Sequence, residues 1–345
     1  MRKSRIVVFS IVIIIGLGAG GSWLLWAPNT PSFDGDRTLY IPRGSIFVNV
    51  VDSLESRELT KYSWTFRLVA HATGWKDQIK AGHYVFSSGK SNVSLLQTLR
   101  RGLQTPVSLR IPAGSRRDRV ARSAAANMAF EAEDFMAALG DTALATSLGT
   151  DTLHLFSYML PDTYSFYWLT EATEVVRRIK REFDEFYEKE AASEASTRGL
   201  SRDEVVSLAA IVEWETRVIE EKSRVAGVYL NRLRRHWPLQ ADPTVQYALI
   251  ELEDGVRRLF YRDYKIDHPY NTYLYQGLPP SPITNPSRSS LIKTAQAEEH
   301  DYMFFVASPD GGHSFNVDLR GHNRDADVLR RYLAQRRREQ ANAED

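Results

Sequence analysis

Cysteine is missing from all 345 residues, so the chain has no disulfide framework and no site for a thioether-linked lipid anchor. Absence of thiols also suits an oxidising compartment. Excess charge of one sign is missing too: 44 Lys and Arg stand against 43 Asp and Glu, a net charge of +1. That balance gives no electrostatic basis for binding nucleic acid or a highly charged polymer, and an uncharged or mixed-charge ligand fits better. Charge of either sign is absent from Ile6 to Trp26, directly after Arg2, Lys3 and Arg5. At about 1.5 Å per residue this run spans roughly the apolar thickness of a bilayer. It reads as one membrane span with its N-terminus cytoplasmic and everything after Pro28 outside the cytoplasm, Trp23 and Trp26 lying at the far interface. The small residues Gly16 to Ser22 leave a cleaved signal peptide as the rival reading.

The remaining roughly 315 residues exceed one average domain. Two short segments repeat, Leu39-Tyr40-Ile41-Pro42-Arg43-Gly44-Ser45 and Leu109-Arg110-Ile111-Pro112-Ala113-Gly114-Ser115. Each reads as a strand ended by Pro and Gly, with the Ser able to cap a following helix. Trp64 to Thr73 reads as a helix, His83 to Phe86 as a strand, and Asn92 to Arg101 as a helix. Residues 37 to 88 are therefore expected to run strand, helix, helix, strand. From Ser115 to Ala195 the pattern is mostly helical, broken by an aromatic run from Phe156 to Trp168. Those rings suit either stacking on sugar faces or a core loop.

The most informative stretch is Leu208-Ala209-Ala210-Ile211-Val212-Glu213-Trp214-Glu215-Thr216, which drives two carboxylates into the end of a helix apolar on every side. Ser201, with Glu204 three residues on, is a capping box that fixes the start of this helix. Val206, Ala209 and Ala210 lie behind Glu213, and Leu208, Ile211 and Val212 behind Glu215. Desolvation there disfavours the charged form and prepares a general acid. The plainer alternative pairs Glu213 with Arg217 at a helix end turning to solvent. These residues alone do not choose between the two glutamates.

Downstream stand Val225 to Leu233, Leu239-Gln240-Ala241-Asp242-Pro243-Thr244-Val245, Pro269-Tyr270-Asn271-Thr272-Tyr273, Gly277-Leu278-Pro279-Pro280, Asn285-Pro286 and Gly311-Gly312-His313-Ser314-Phe315. Taken with the glutamates, this set resembles the endolytic murein transglycosylase family over essentially the whole chain, most densely from Leu208 to Asn323. The resemblance implies an α+β protein with three parts. Residues 1–31 would form a cytoplasmic stub and transmembrane helix, residues 37–106 a LysM-like β-α-α-β module, and residues 107–340 the catalytic domain. An ordinary α+β spacer remains the alternative for the middle part.

The family's catalytic glutamate maps, by its place first in the motif, to Glu213, with Glu215 in support. The implied reaction cleaves the β-1,4 bond from N-acetylmuramic acid to N-acetylglucosamine within a nascent strand, leaves a 1,6-anhydro end, and so limits strand length. No cofactor or metal is implied, and Glu213, Glu215 and His236 lack a compact ligand spacing. Gln240, Asn271 and Tyr273 can hydrogen-bond acetamido and hydroxyl groups. Asp242-Pro243 and Asn285-Pro286-Ser287 read first as helix starts, and His313 lies at the turn end of a hairpin strand. The implied partners are glycan strands and the synthases of the elongation or division machinery, at the inner membrane with the catalytic part periplasmic. Two rivals remain: a hydrolase pairing Glu213 with Asp242 and water, and a scaffold that binds glycan without cutting it. The chain departs from the family at Trp214, where Lys is usual, at Ala241, where Thr is usual, and near Pro161-Asp162-Thr163, which lacks a preceding glycine.

Overall fold

A computed structural model describes residues 2–253 and 255–344, with side chains from 7 to 340. It is an α+β protein that opens on one long helix, α1 (Arg2–Trp26). Its Val7–Trp26 stretch is long and apolar enough to cross a membrane. Two compact units follow from the contacts: Met1–Leu109 with Ala125–Glu131 and Tyr164–Glu171, and Arg110–Ala124 with Ala132–Thr163 and Ala172–Asp345.

The first unit runs β1 (Asp36–Ile41), α2 (Phe47–Ser56), α3 (Ser63–Ala72), β2 (Gly82–Ser87) and α4 (Asn92–Arg101), the strand, helix, helix, strand order read from the sequence. The strands pair antiparallel with Leu39 opposite Tyr84 and Arg37 opposite Phe86. Alternation sends Leu39 and Ile41 inward, where they meet Val50, Val51 and Leu54 of α2, Phe66 and Val69 of α3, and Leu95, Leu96 and Leu99 of α4. Each side chain of this size contributes about 1.5–3 kcal/mol on burial. Leu24 and Leu25 pack on the same core, and the Asn92 amide donates to the Leu24 carbonyl at 2.9 Å. Asn29 is tied in by its side-chain amide, which donates to Asn92 Oδ1 at 2.7 Å.

One detail of the repeated segments is corrected. Ser45 does not cap α2: its hydroxyl folds back to the Pro42 carbonyl at 2.9 Å, and Asn49 Oδ1 accepts from the Ile46 amide instead. Ser115 likewise donates to the Ala113 carbonyl, at 3.2 Å. Both hydroxyls are drawn into the Pro-Gly turn two residues before the helix begins, where they bond a turn carbonyl.

Next in the chain come β3 (Val107–Ile111), α5 (Arg117–Ala125), α6 (Ala132–Gly140), α7 (Thr142–Ser147), β4 (Asp162–Phe166), α8 (Ala172–Glu190) and α9 (Ala192–Thr197), with β3 paired to β4. Most of the aromatic run is core: Phe156, Tyr158, Tyr164 and Phe166 are buried, while Tyr167 is exposed and Trp168 half-buried. Then follow α10 (Arg202–Glu215), α11 (Lys222–Arg234), α12 (Asp242–Glu253), α13 (Arg288–Ala295), the hairpin β5 (Phe304–Ala307) and β6 (His313–Asn316), and α14 (Leu319–Glu344). Every residue of α10 from Val205 to Val212 is buried, with α11, α12 and α13 packed around it.

The capping box forms as read. Ser201 Oγ accepts from the Glu204 amide at 3.3 Å, and Glu204 Oε2 accepts from the Ser201 amide at 2.8 Å. Ser201→Ala is expected to cost about 1 kcal/mol, seen as a lower urea midpoint at unchanged m-value. An unmoved midpoint would mean that packing alone starts this helix.

Candidate active site

Two residues apart on a helix means about 200° apart around its axis, so Glu213 and Glu215 leave α10 on opposite sides. Their surroundings differ accordingly. Glu213 faces the start of α13. Its Oε2 accepts from Ser287 Oγ at 2.5 Å, Ser290 Oγ at 2.5 Å and the Ser287 amide at 3.1 Å. Lys222 Nζ of α11 stands 3.2 Å from the same oxygen and also donates to Ser290 Oγ at 2.8 Å. The Lys222 and Glu213 side chains are 5% and 14% exposed, so this is a buried ion pair held by serine hydroxyls. Ser287 is meanwhile the N-cap of α13, accepting from the Ser290 amide, which makes the Asn285-Pro286-Ser287 motif the helix start read from sequence.

Trp214 fixes the same helix end from a third side. Its indole Nε1 donates to the Gly114 carbonyl at 2.9 Å, and the Gly114 amide donates to the Asn285 carbonyl. Gly114 has φ +57°, a conformation that favours glycine, and a Cβ there would lie 3.2 Å from Glu213 Cγ, a tight contact that the carboxylate side chain would have to relieve. Asn285 is fully buried, its amide donating to the Pro112 and Met159 carbonyls.

Glu215 faces a cavity of about 410 Å³ lined by Glu215, Tyr229, Arg232, Gln240, Asp242 and Tyr273, with His313 and His322 and the apolar rim of β5 beside them. Tyr229 donates its hydroxyl to Glu215 Oε1 at 2.5 Å, and among the described residues nothing hydrogen-bonds Oε2. Burial pushes the Glu215 carboxyl up to about 7, with the Asp242 charge adding to the rise while the Tyr229 hydrogen bond and Arg232 oppose it. Asp242 accepts from Tyr273 at 2.6 Å and from Tyr264 at 3.3 Å. Burial, then these carboxylate contacts, push the Tyr273 hydroxyl well above the ordinary tyrosine range and Tyr264 to about 12. Burial lowers Arg232, whose guanidinium donates to the Leu239 and Met303 carbonyls and so pins the wall of the cavity.

The structure thus brings Glu215, Gln240, Asp242 and Tyr273 together and places Glu213 outside that group. Gln240 sits at φ +48°, a strained position for a side-chain-bearing residue, with its backbone N–H donating to the Thr272 carbonyl. Helix α12 does begin at Asp242, yet the carboxylate is directed to tyrosine hydroxyls across the site. Asn271 is fully buried and works inside its loop. Its amide donates to the Tyr264 and Ile266 carbonyls and its oxygen accepts from the Tyr273 amide, which holds Tyr273 in place. Tyr229 and Arg232 carry no role in the sequence reading. Their spacing of three on α11, one turn apart, is the signal that marks them as neighbours on one face.

An α+β chain with a polar cleft built around a carboxyl that titrates near neutrality has the design of an acid/base enzyme. Residues 39–328 match the model of the YceG-like family, and the chain belongs to that family. Similar proteins include an endolytic murein transglycosylase of Bacillus subtilis (strain 168), 27% identical over 299 residues and covering 82% of each chain. Another endolytic murein transglycosylase, from Streptococcus pneumoniae serotype 2 (strain D39), is 28% identical over 310 residues. That alignment covers 80% of this chain and 55% of the streptococcal protein. A solved structure of a YceG-like protein from Listeria monocytogenes is 26% identical and superposes with a TM-score of 0.58, covering 84% of this chain and 98% of that one.

Proposed function

We propose that this chain is an endolytic murein transglycosylase, and that Glu215 is its general acid. The observation that carries the assignment is the Glu215 carboxyl in the cavity, desolvated to a pKa of about 7, beside Gln240, Asp242 and Tyr273. A general acid must hold its proton at working pH and reach the leaving group. In this reading Glu215 has both properties: it lines the cavity, and among the described residues only its Oε1 is hydrogen-bonded. Glu213, which the family motif selects, is engaged with Lys222 and the α13 serines, and supports the helix end that carries Glu215. The substrate class rests on the curated relatives and on the polar lining of the cavity.

In this reading the bond between C1 of N-acetylmuramic acid and O4 of N-acetylglucosamine breaks as Glu215 gives its proton to O4. The carboxylate that forms stabilises positive charge developing at C1. The sugar's own C6 hydroxyl then closes on C1, losing its proton to a base in the cavity, and proximity replaces an activated water. Gln240 and Tyr273 contact the acetamido and hydroxyl groups. Residues 37–106, with their strand-helix-helix-strand order, serve as a LysM-like module, and residues 107–340 as the catalytic domain. Helix α1 anchors the chain in the inner membrane with its N-terminus cytoplasmic and the catalytic part periplasmic, where strands leave their synthases. Cleavage there ends strand growth.

The test is mass spectrometry of glycan strands incubated with the full chain in detergent. Fragments ending in 1,6-anhydro sugars are expected. Reducing ends would replace this reading with a hydrolase using Glu215 and Asp242, and strand binding without cleavage would replace it with a scaffold.

A further inference from the structure

The cavity holds a second proton-handling group. His313, first residue of β6, lines it with Glu215, and Glu221 clamps that histidine from the short 3₁₀ turn Ile219–Glu221 just beyond α10. The clamp is double. Glu221 Oε1 accepts from the His313 amide at 2.8 Å, and Oε2 lies 2.7 Å from Nδ1. Both side chains are 15% exposed, which fixes the ring rather than leaving it to solvent. Phe305 closes the other side, its ring 5.5 Å from the imidazole and nearly perpendicular to it. Gly312 is part of the device: a Cβ there would lie 2.5 Å from Glu221 Oε1 and would push the carboxylate off the His313 amide.

A carboxylate on Nδ1 selects the tautomer with the proton on that nitrogen and leaves Nε2 as an acceptor. Among the described residues nothing hydrogen-bonds Nε2. We propose that His313 Nε2 is the base that takes the proton of the substrate's C6 hydroxyl, with Glu221 as its positioning residue. This rests on the transglycosylase reading. Glu215 has already given its proton to O4, which leaves with the bonding electrons of C1–O4. A lone pair of O6 forms the C1–O6 bond while the O6 proton passes to Nε2. The imidazolium is neutralised by Glu221, and a proton returned to Glu215 through solvent restores both groups. No water is consumed.

The experiment compares native chain, His313→Gln and Glu221→Gln on glycan strands, scoring total cleavage, the ratio of anhydro to reducing ends, and melting temperature. His313→Gln is expected to lower kcat by about 10²-fold, the scale of a lost general base, and to shift the remaining products toward reducing ends as water competes for C1. Glu221→Gln is expected to lower kcat less, with KM unchanged and the same drift in product ratio. A purely structural histidine would not move that ratio. His313→Gly with added imidazole supplies a second arm, and recovery of anhydro ends supports the assignment. Native rate and native ratio in a folded His313→Gln protein would overturn it, as would a folded His313→Gly protein that imidazole leaves unchanged. Native chain that itself yields no anhydro ends would instead sink the transglycosylase reading.

Discussion

Replacing Glu215 with glutamine is expected to cut kcat for anhydro-ended products by about 10³-fold at nearly constant KM, since the amide keeps the size of the side chain but has no proton to give. Glu213→Gln in parallel is expected to retain much of the cleavage per folded molecule and to melt at lower temperature. The reverse pattern would return the acid to Glu213. The pH dependence follows from the same group. A general acid works protonated, so the rate should fall about tenfold per unit once pH rises past about 7, where burial has placed the Glu215 carboxyl. Stability shares the direction. The folded carboxyl sits above its ordinary value of 4.5, so between about 4.5 and about 7 the folded state holds a proton that the unfolded chain has lost. The contribution is fully present below about 4.5 and falls as pH rises to about 7, at up to about 1.4 kcal/mol per unit. Glu215→Gln should flatten that part of the denaturation profile. A slope identical to the native one would place the proton elsewhere.

Lys222→Met should be the most destabilising single change near the site. It leaves Glu213 a buried carboxylate with no cation, and removing one partner of such a pair costs about 3–5 kcal/mol. For a unit of this size that lowers the melting temperature by on the order of 10 °C. The double variant Lys222→Met with Glu213→Leu should recover most of the loss, because no charge remains unpaired and apolar side chains can fill the space. Calorimetry on the set decides it. A single variant that melts like the native chain would show that water reaches Glu213 and that the pair is not a buried strut.

How much of this was legible in the sequence depends on the range of the interactions involved. The α10 capping box, the β1–β2 strands with their two intervening helices, and the β5–β6 hairpin around Pro309-Asp310-Gly311-Gly312 all rest on contacts a few residues apart, and each stands where its residues put it. The choice between Glu213 and Glu215 rests on what other helices bring to each side of α10. Both carry apolar residues behind them, so local desolvation does not separate them. Lys222 and Ser290 meet Glu213, Tyr229 and Asp242 lie on the Glu215 side, and those partners are 9, 77, 14 and 27 residues away in the chain. Asn271 reads as a sugar ligand because an exposed amide would suit one; burial turned it to backbone carbonyls within five to seven residues. The aromatic run from Phe156 is similarly divided by packing, which covers Phe156, Tyr158, Tyr164 and Phe166 and leaves Tyr167 exposed.

Helix α1 is mounted on the first unit and not leashed to it. Within three residues of Trp26 the backbone is already bonded to the rest of the unit, Asn29 donating to the Lys90 carbonyl at 2.8 Å, while Leu24 and Leu25 sit against the core. A flexible ten-residue linker would let a domain wander over about 17 Å; this junction has no such slack. Any tilt of α1 therefore swings the core of the first unit through the same angle, since the helix end and that core share one packed surface.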